Sequence, residues 1–179
     1  MRPTASGGTE CRSVGSPLRV RKLIPPLTLR QTDGRLVHAW DFKQKKNLVI
    51  ALLDENCSQC EKFIRDLANQ ASDLREQEAI ILLAFLGEPQ QSLRDILSDG
   101  FFAGAASAPH LRQFLGEDAT SAERLSRRGV FVTDRYGEIS SMWITQGHDF
   151  PRIEQILSAL NLVEIACEEC EVPFWPVDD

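Results

Sequence analysis

The sequence predicts an α/β fold in which helices flank a mixed β-sheet, and three observations carry that prediction. Residues 48–53 form an unbroken apolar run, as expected of a strand buried on both faces of a sheet. From Cys60 onward the apolar residues Phe63, Ile64, Leu67, Ala71 and Leu74 recur mostly at intervals of three or four. That spacing is one face of an amphipathic helix. A second apolar run, residues 79–86, follows. Strand, helix, strand is a βαβ unit, whose crossover is right-handed.

The flanking segments extend this unit on both sides. Ordered structure is expected from Ile24-Pro25-Pro26-Leu27-Thr28-Leu29, and Asp33-Gly34 between two short extended runs signals a hairpin. Residues 92–97, 111–114 and 122–126 read as short helices, and 100–109 as a loop or short extended segment. Residues 130–133 read as a strand, 134–137 as a turn and 138–143 as the returning strand. A closing helix is expected over 149–160, with Asp149 as cap and Pro151 in its first turn. The element order is hairpin, β, α, β, short helices, β-hairpin, α: an α/β sandwich.

A chain of 179 residues, 42% of them hydrophobic, suits one domain with tails. Residues 1–18 are rich in Gly, Ser, Thr and Pro and read as a disordered tail holding Cys11. The folded domain is expected over 19–163. A C-terminal tail over 164–179 follows, pinned by burial of Phe174 and Trp175. The net charge of −6 argues against nucleic-acid and membrane-surface partners, which need a basic face. No apolar run reaches the roughly 18–20 residues needed to cross a bilayer. The first 22 residues carry Arg2, Arg12, Arg19, Arg21 and Lys22 without an apolar core. A secretory signal is therefore not expected, and a reducing cytoplasmic setting is.

Four of the five cysteines form two C-x-x-C units, Cys57/Cys60 and Cys167/Cys170. The first lies between the end of a buried strand and the start of a helix. Asn56 suits the N-cap, with Gln59 three residues on as its capping-box partner. Cys57 would then be the first helical residue, near unpaired N–H groups and the positive end of the helix dipole. Both favour thiolate, the nucleophilic form. Asp54 and Glu55 work the other way if they approach the sulfur. Cys60, one turn on, can attack a mixed disulfide formed at Cys57. Two other readings compete: a buried pair packing as small apolar residues, and a zinc half-site. C-x-x-C beside a βαβ unit is itself a thioredoxin-like signature.

Between about residues 24 and 160 the chain resembles the redoxin branch of the thioredoxin superfamily, which includes the alkyl hydroperoxide reductase/thiol-specific antioxidant (peroxiredoxin-like) proteins. The resemblance rests on Pro26-Leu27-Thr28-Leu29 with Asp33-Gly34-Arg35, on the apolar run into Cys57-Ser58-Gln59-Cys60, and on Arg128-Gly129-Val130-Phe131-Val132-Thr133-Asp134-Arg135-Tyr136-Gly137. It implies a thioredoxin-like three-layer sandwich with an N-terminal hairpin extension. It also implies that Arg128 supports the Cys57 thiolate, as an arginine does in peroxiredoxins. The chain departs from the family at several positions. Peroxiredoxins place Pro seven and Thr or Ser three residues before the reactive cysteine, where this chain has Ile50 and Asp54. Thioredoxins place a cis-proline before the strand expected at Val130, a place held here by Arg128, and a Trp where Asn56 stands.

Cys167 and Cys170 are surrounded by Glu164, Glu168, Glu169 and Glu171. Local negative charge makes them poor first nucleophiles. They could serve as a second, relaying or resolving redox pair, or pair with Cys57 and Cys60 around zinc. His38, His110 and His148 show no ligand spacing and read as surface or turn residues.

The sequence therefore points to a thiol–disulfide oxidoreductase with Cys57 attacking, Cys60 resolving and Arg128 assisting. Its expected partners are a disulfide-containing protein or a small thiol or peroxide substrate, and an external thiol reductant; no cofactor or bound metal is expected. Two alternatives stand beside it. One is a peroxiredoxin-like peroxidase resolved by Cys60 or by Cys167/Cys170. The other is a non-catalytic module with cysteine-bound zinc.

Overall fold

A computed structural model describes residues 18–90, 93, 95–97, 99–117 and 125–169. Two short strands, β1 (Thr28–Arg30) and β2 (Leu36–His38), make the expected antiparallel hairpin. Gly34 closes it at φ +85°, a conformation glycine adopts without cost. A 3₁₀ turn over Ala39–Phe42 leads to β3 (Asn47–Leu53), buried along its whole length. Helices α1 (Ser58–Asn69) and α2 (Ala71–Glu76) follow, divided at Gln70 where one continuous helical face was expected. Then come β4 (Ala79–Phe85), β5 (Phe101–Ala105), α3 (Ala108–Leu115), β6 (Arg128–Thr133), β7 (Ile139–Thr145) and α4 (Ile153–Glu169).

One seven-stranded mixed sheet runs in the order β2-β1-β5-β4-β3-β6-β7. Strands β3, β4 and β5 are parallel, and β6 and β7 complete the sheet antiparallel. The period-2 alternation of β3 divides the core. Val49, Ala51 and Leu53 pack with Phe63, Ile64, Leu67 and Leu74 of α1–α2 and Ile156 and Leu160 of α4. Leu48, Ile50 and Leu52 face Leu27, Leu29 and the α3 residues Leu111, Phe114 and Leu115. This is the thioredoxin-like three-layer sandwich with its N-terminal hairpin.

Several local expectations are decided or corrected. Of the two readings of residues 100–109, a loop or a short extended segment, residues 101–105 take the second, as strand β5. Gly104 lies where a Cβ would come within 2.7 Å of the Arg30 carbonyl, so lack of a side chain lets β1 pass close beside it. Helix α3 begins at Ala108, three residues before the expected start at Leu111, with Ser107 as its cap and Pro109 in its first turn. At the expected helix over 92–97, Leu93 is in a 3₁₀ turn and its carbonyl accepts from the Ile96 and Leu97 N–H groups, and most of the expected segment 122–126 falls outside the described residues. Helix α4 begins after Asp149 and Pro151. Its first turn is closed by the Arg152 N–H donating to Gln155 Oε1 at 2.9 Å, half of a capping box. It then runs to Glu169, past the expected end at Leu160 and through residues read as tail. Apart from Leu18, the expected N-terminal tail lies outside the described residues, as do Phe174 and Trp175.

Candidate functional site

Strand register brings five chain segments to one edge of the sheet. Leu53 ends β3 opposite Phe85 of β4, Phe85 lies opposite Ala105 of β5, and Arg128 opens β6 opposite Thr145 of β7. The segment after β3 therefore meets the segments after β4 and β7. In parallel α/β sheets the edge beyond the strands' carboxyl ends is where ligands and reactive groups gather.

Residues 54–56 are tied to this edge by three side chains. Asp54 Oδ2 accepts from Arg128, through Nε at 2.7 Å and through Nη2. Glu55 Oε1 accepts from the Gly87 N–H. Asn56 Oδ1 accepts from Gln90 Nε2 at 3.0 Å. A turn held this way presents the next residue, Cys57, in a fixed direction.

The N-cap of α1 is Cys57 itself, not Asn56. Its backbone is extended (φ −128°, ψ 109°), and its Sγ accepts the Cys60 N–H at 3.1 Å. The sulfur thus takes the part a serine or aspartate oxygen usually plays, receiving one of the unpaired donors at the helix mouth. The capping box through Gln59 does not form, because Asn56 is occupied by Gln90. Cys57 is half-buried and Cys60 fully buried, and both are free thiols.

Burial pushes the Cys60 thiol up to about 12 from an ordinary 9.0; its hydrogen bond with Cys57 adds to this, and a backbone bond from Asp54 opposes it. The negative charges of Cys57 and Asp54 contribute further upward pushes. The upward push that an approaching Asp54 would exert, raised in the sequence for Cys57, is felt here by Cys60.

Arg128 lies beside this turn, but not against the Cys57 sulfur. Its guanidinium donates to Asp54 and, at 3.2 Å, to the Gln146 carbonyl. Its bonds join the Asp54 turn that leads to Cys57 to the loop after β7.

His148 is exposed in a bend, as its reading as a surface or turn residue expects, but its nearness to the cysteines was not anticipated. The loop after β7 is held at both ends. Arg128 binds the carbonyl of Gln146, and the Phe150 ring stacks on Phe63 of α1 with centroids 4.6 Å apart. Between these anchors, a ring nitrogen of His148 and the Cys57 and Cys60 sulfurs all lie within 4.8 Å of one another. The signal was positional: β7 ends on the same edge as β3, so a side chain shortly after Thr145 can reach the cysteines.

The second cysteine pair is not brought to this site in the described structure. Cys167 belongs to the last turns of α4, and Cys170 lies outside the described residues. Just before Cys167, Glu164 Oε1 accepts from Asn47 Nδ2 at 2.6 Å. Asn47 opens β3, at the edge opposite Cys57. No helix among the described residues is long and apolar enough to cross a membrane.

No family model matches the sequence, and no curated protein matches it. Solved structures do match its fold. The yeast mitochondrial 1-Cys peroxiredoxin superposes with a TM-score of 0.66 at 13% identity, covering 90% of this chain and 85% of that one. A peroxiredoxin-like protein from Aquifex aeolicus gives 0.66 at 14% identity, covering 84% and 90%. A candidate thiol:disulfide interchange protein DsbE from Chlorobium tepidum gives 0.57 at 16% identity, covering 80% and 99%. The chain shares the thioredoxin-like fold of these peroxiredoxin and DsbE structures.

Proposed function

We propose that this protein is a thiol–disulfide oxidoreductase in which Cys57 attacks and Cys60 resolves. The observation that carries the reading is the Cys57 sulfur at the mouth of α1, accepting the Cys60 N–H, with the Cys60 thiol buried one turn behind it. In the first step the Cys57 thiolate attacks one sulfur of a substrate disulfide. A Cys57–substrate disulfide forms, and the other substrate sulfur leaves as thiolate and takes a proton. Cys60 then gives its proton to solvent and attacks the Cys57 sulfur, expelling the second substrate thiolate. The products are two substrate thiols and a Cys57–Cys60 disulfide, which an external dithiol reductant reopens.

Buried Cys60 is shielded from bulky solution reagents, so its sulfur meets a reaction partner that is already held at Cys57. The likeness to DsbE supports this reading, and Asp54 and Ile50 in place of the peroxiredoxin Thr and Pro weigh against peroxide as substrate. Disulfide reduction and peroxide consumption measured side by side test it. Wild-type protein should reduce a model disulfide faster than it consumes peroxide. Cys57→Ser should abolish reduction, and Cys60→Ser should accumulate a mixed disulfide at Cys57 detectable by mass. Full activity in Cys57→Ser would refute the assignment.

A further inference from the structure

We infer that Cys57, Cys60 and His148 form a binding site for a thiophilic d¹⁰ metal ion, with zinc as its probe, that fills only while the two cysteines are reduced. Two thiolates and an imidazole are a donor set that zinc accepts, with water free to take the fourth position. The three donor atoms lie within 4.8 Å of one another. Tetrahedral zinc with bonds near 2.3 Å to sulfur and about 2.0–2.1 Å to nitrogen wants its sulfurs roughly 3.8 Å apart and each about 3.5 Å from the nitrogen, so the edges close by at most about 1.0–1.3 Å. Side-chain rotation of exposed His148 and half-buried Cys57 covers that adjustment.

The imidazole is available for the purpose. Among the described residues no side chain hydrogen-bonds the His148 ring. Its loop is nevertheless fixed by the Arg128–Gln146 bond and the Phe63–Phe150 stack. A ligand on a held loop keeps more of its binding energy than one that must first be ordered.

Metal and disulfide compete for the same two sulfurs. Loading replaces two thiol protons: two Cys–SH and one Zn²⁺ give the bis-thiolate complex and two H⁺. A substrate disulfide RS–SR reverses it. The two coordinated sulfurs become the Cys57–Cys60 disulfide, RS–SR takes two electrons from them and two protons from solvent to become two RSH, and Zn²⁺ is released. The site goes beyond the exchange chemistry and borrows its thiols, so occupancy should inhibit disulfide reduction.

The test uses reduced full-length protein carrying Cys11→Ser, Cys167→Ser and Cys170→Ser, titrated with Zn²⁺ against a chromophoric chelator. One equivalent should bind, and Co²⁺ should give a sulfur-to-metal charge-transfer band with intense tetrahedral d–d absorption. His148→Ala should weaken zinc binding at least about tenfold and alter the cobalt spectrum. His148→Cys, which supplies another soft ligand, should restore binding and strengthen the charge-transfer band. Protein oxidised to the Cys57–Cys60 disulfide should not bind at this site. Absence of saturable binding, or binding and spectra that His148→Ala leaves unchanged, would overturn the site. Disulfide reduction by the chelator-treated protein is assayed in parallel: if it persists while zinc fails to bind, the metal site alone falls.

Discussion

The two ends of β3 lie beside turns that begin alike and are held in opposite ways. Asp134 follows β6 and Asp54 follows β3, each the first residue past a strand. Asp134 Oδ1 accepts the N–H groups of Tyr136 and Glu138, each at 2.8 Å, and Gly137 N–H returns to the Asp134 carbonyl. These bonds close the turn within five residues of sequence, and the Gln44 and Ile24 N–H groups add bonds to its Arg135 and Gly137 carbonyls. Asp54 instead reaches Arg128, 74 residues away in the chain, and its neighbours Glu55 and Asn56 reach Gly87 and Gln90. A turn closed by its own backbone can serve stability alone. A turn closed by two other segments is fixed only when the strands that carry them have paired, which suits an edge where donor geometry matters.

The largest effect that would sharpen this contrast is within the cysteine edge. At neutral pH a thiol-alkylating reagent should modify Cys57 at least about a hundredfold faster than Cys60, because Cys60 is buried and held near 12. Peptide mass spectrometry over time reads the ratio, and equal rates would mean the pair is not arranged as described.

Next, Arg128→Ala leaves the part-buried Asp54 carboxylate without its cation. We expect a loss of about 1–3 kcal/mol in chemical denaturation together with slowed disulfide reduction, and partial recovery of both in Arg128→Lys. Unchanged reduction in Arg128→Ala would erase the distinction between the two turns.

A smaller effect follows from the raised Cys60 thiol. Its proton is held more tightly in the folded chain than in the unfolded one. Its contribution to stability is therefore complete below about pH 9 and is lost as pH rises toward about 12. The stability of wild type should fall by about 1 kcal/mol per pH unit just above pH 9 relative to Cys60→Ala, which lacks the titration. Parallel pH profiles for the two would contradict it.

The smallest effect tests the other turn. Gly137 sits at φ +83°, and a Cβ there would meet Ile24 only at an ordinary 3.5 Å. Gly137→Ala should cost about 1 kcal/mol of stability through backbone strain alone and leave disulfide reduction unchanged.

The same local-versus-distant distinction explains what the sequence made legible. Strands β3 and β4 were readable from their apolar runs, and the 134–137 turn from Asp and Gly at fixed offsets, because the physics lies in adjacent residues. Asn56 was misread as a cap because its amide is consumed by Gln90, a partner 34 residues on. A cysteine sulfur as cap is a signal that propensity does not anticipate. β5 reads only as a loop or a short extended segment because its small residues, Ala103, Gly104 and Ala105, serve the close passage of β1 rather than apolar burial. The start of α4 was misjudged because Pro151 suits a first turn, whereas the closing bond comes from Gln155. Arg128 was found through family resemblance, but its partner was not. His148 depends on which strand ends share an edge, and that is known only once the sheet order is.

The Asn47–Glu164 bond has a kinetic corollary. By anchoring α4 at the start of β3, it stations the backbone of Cys167 at the pole of the molecule away from Cys57. Direct exchange between Cys167 and Cys57 while that anchor holds would therefore run between two molecules. Such a hand-off would be second order, quickening with protein concentration and vanishing on dilution.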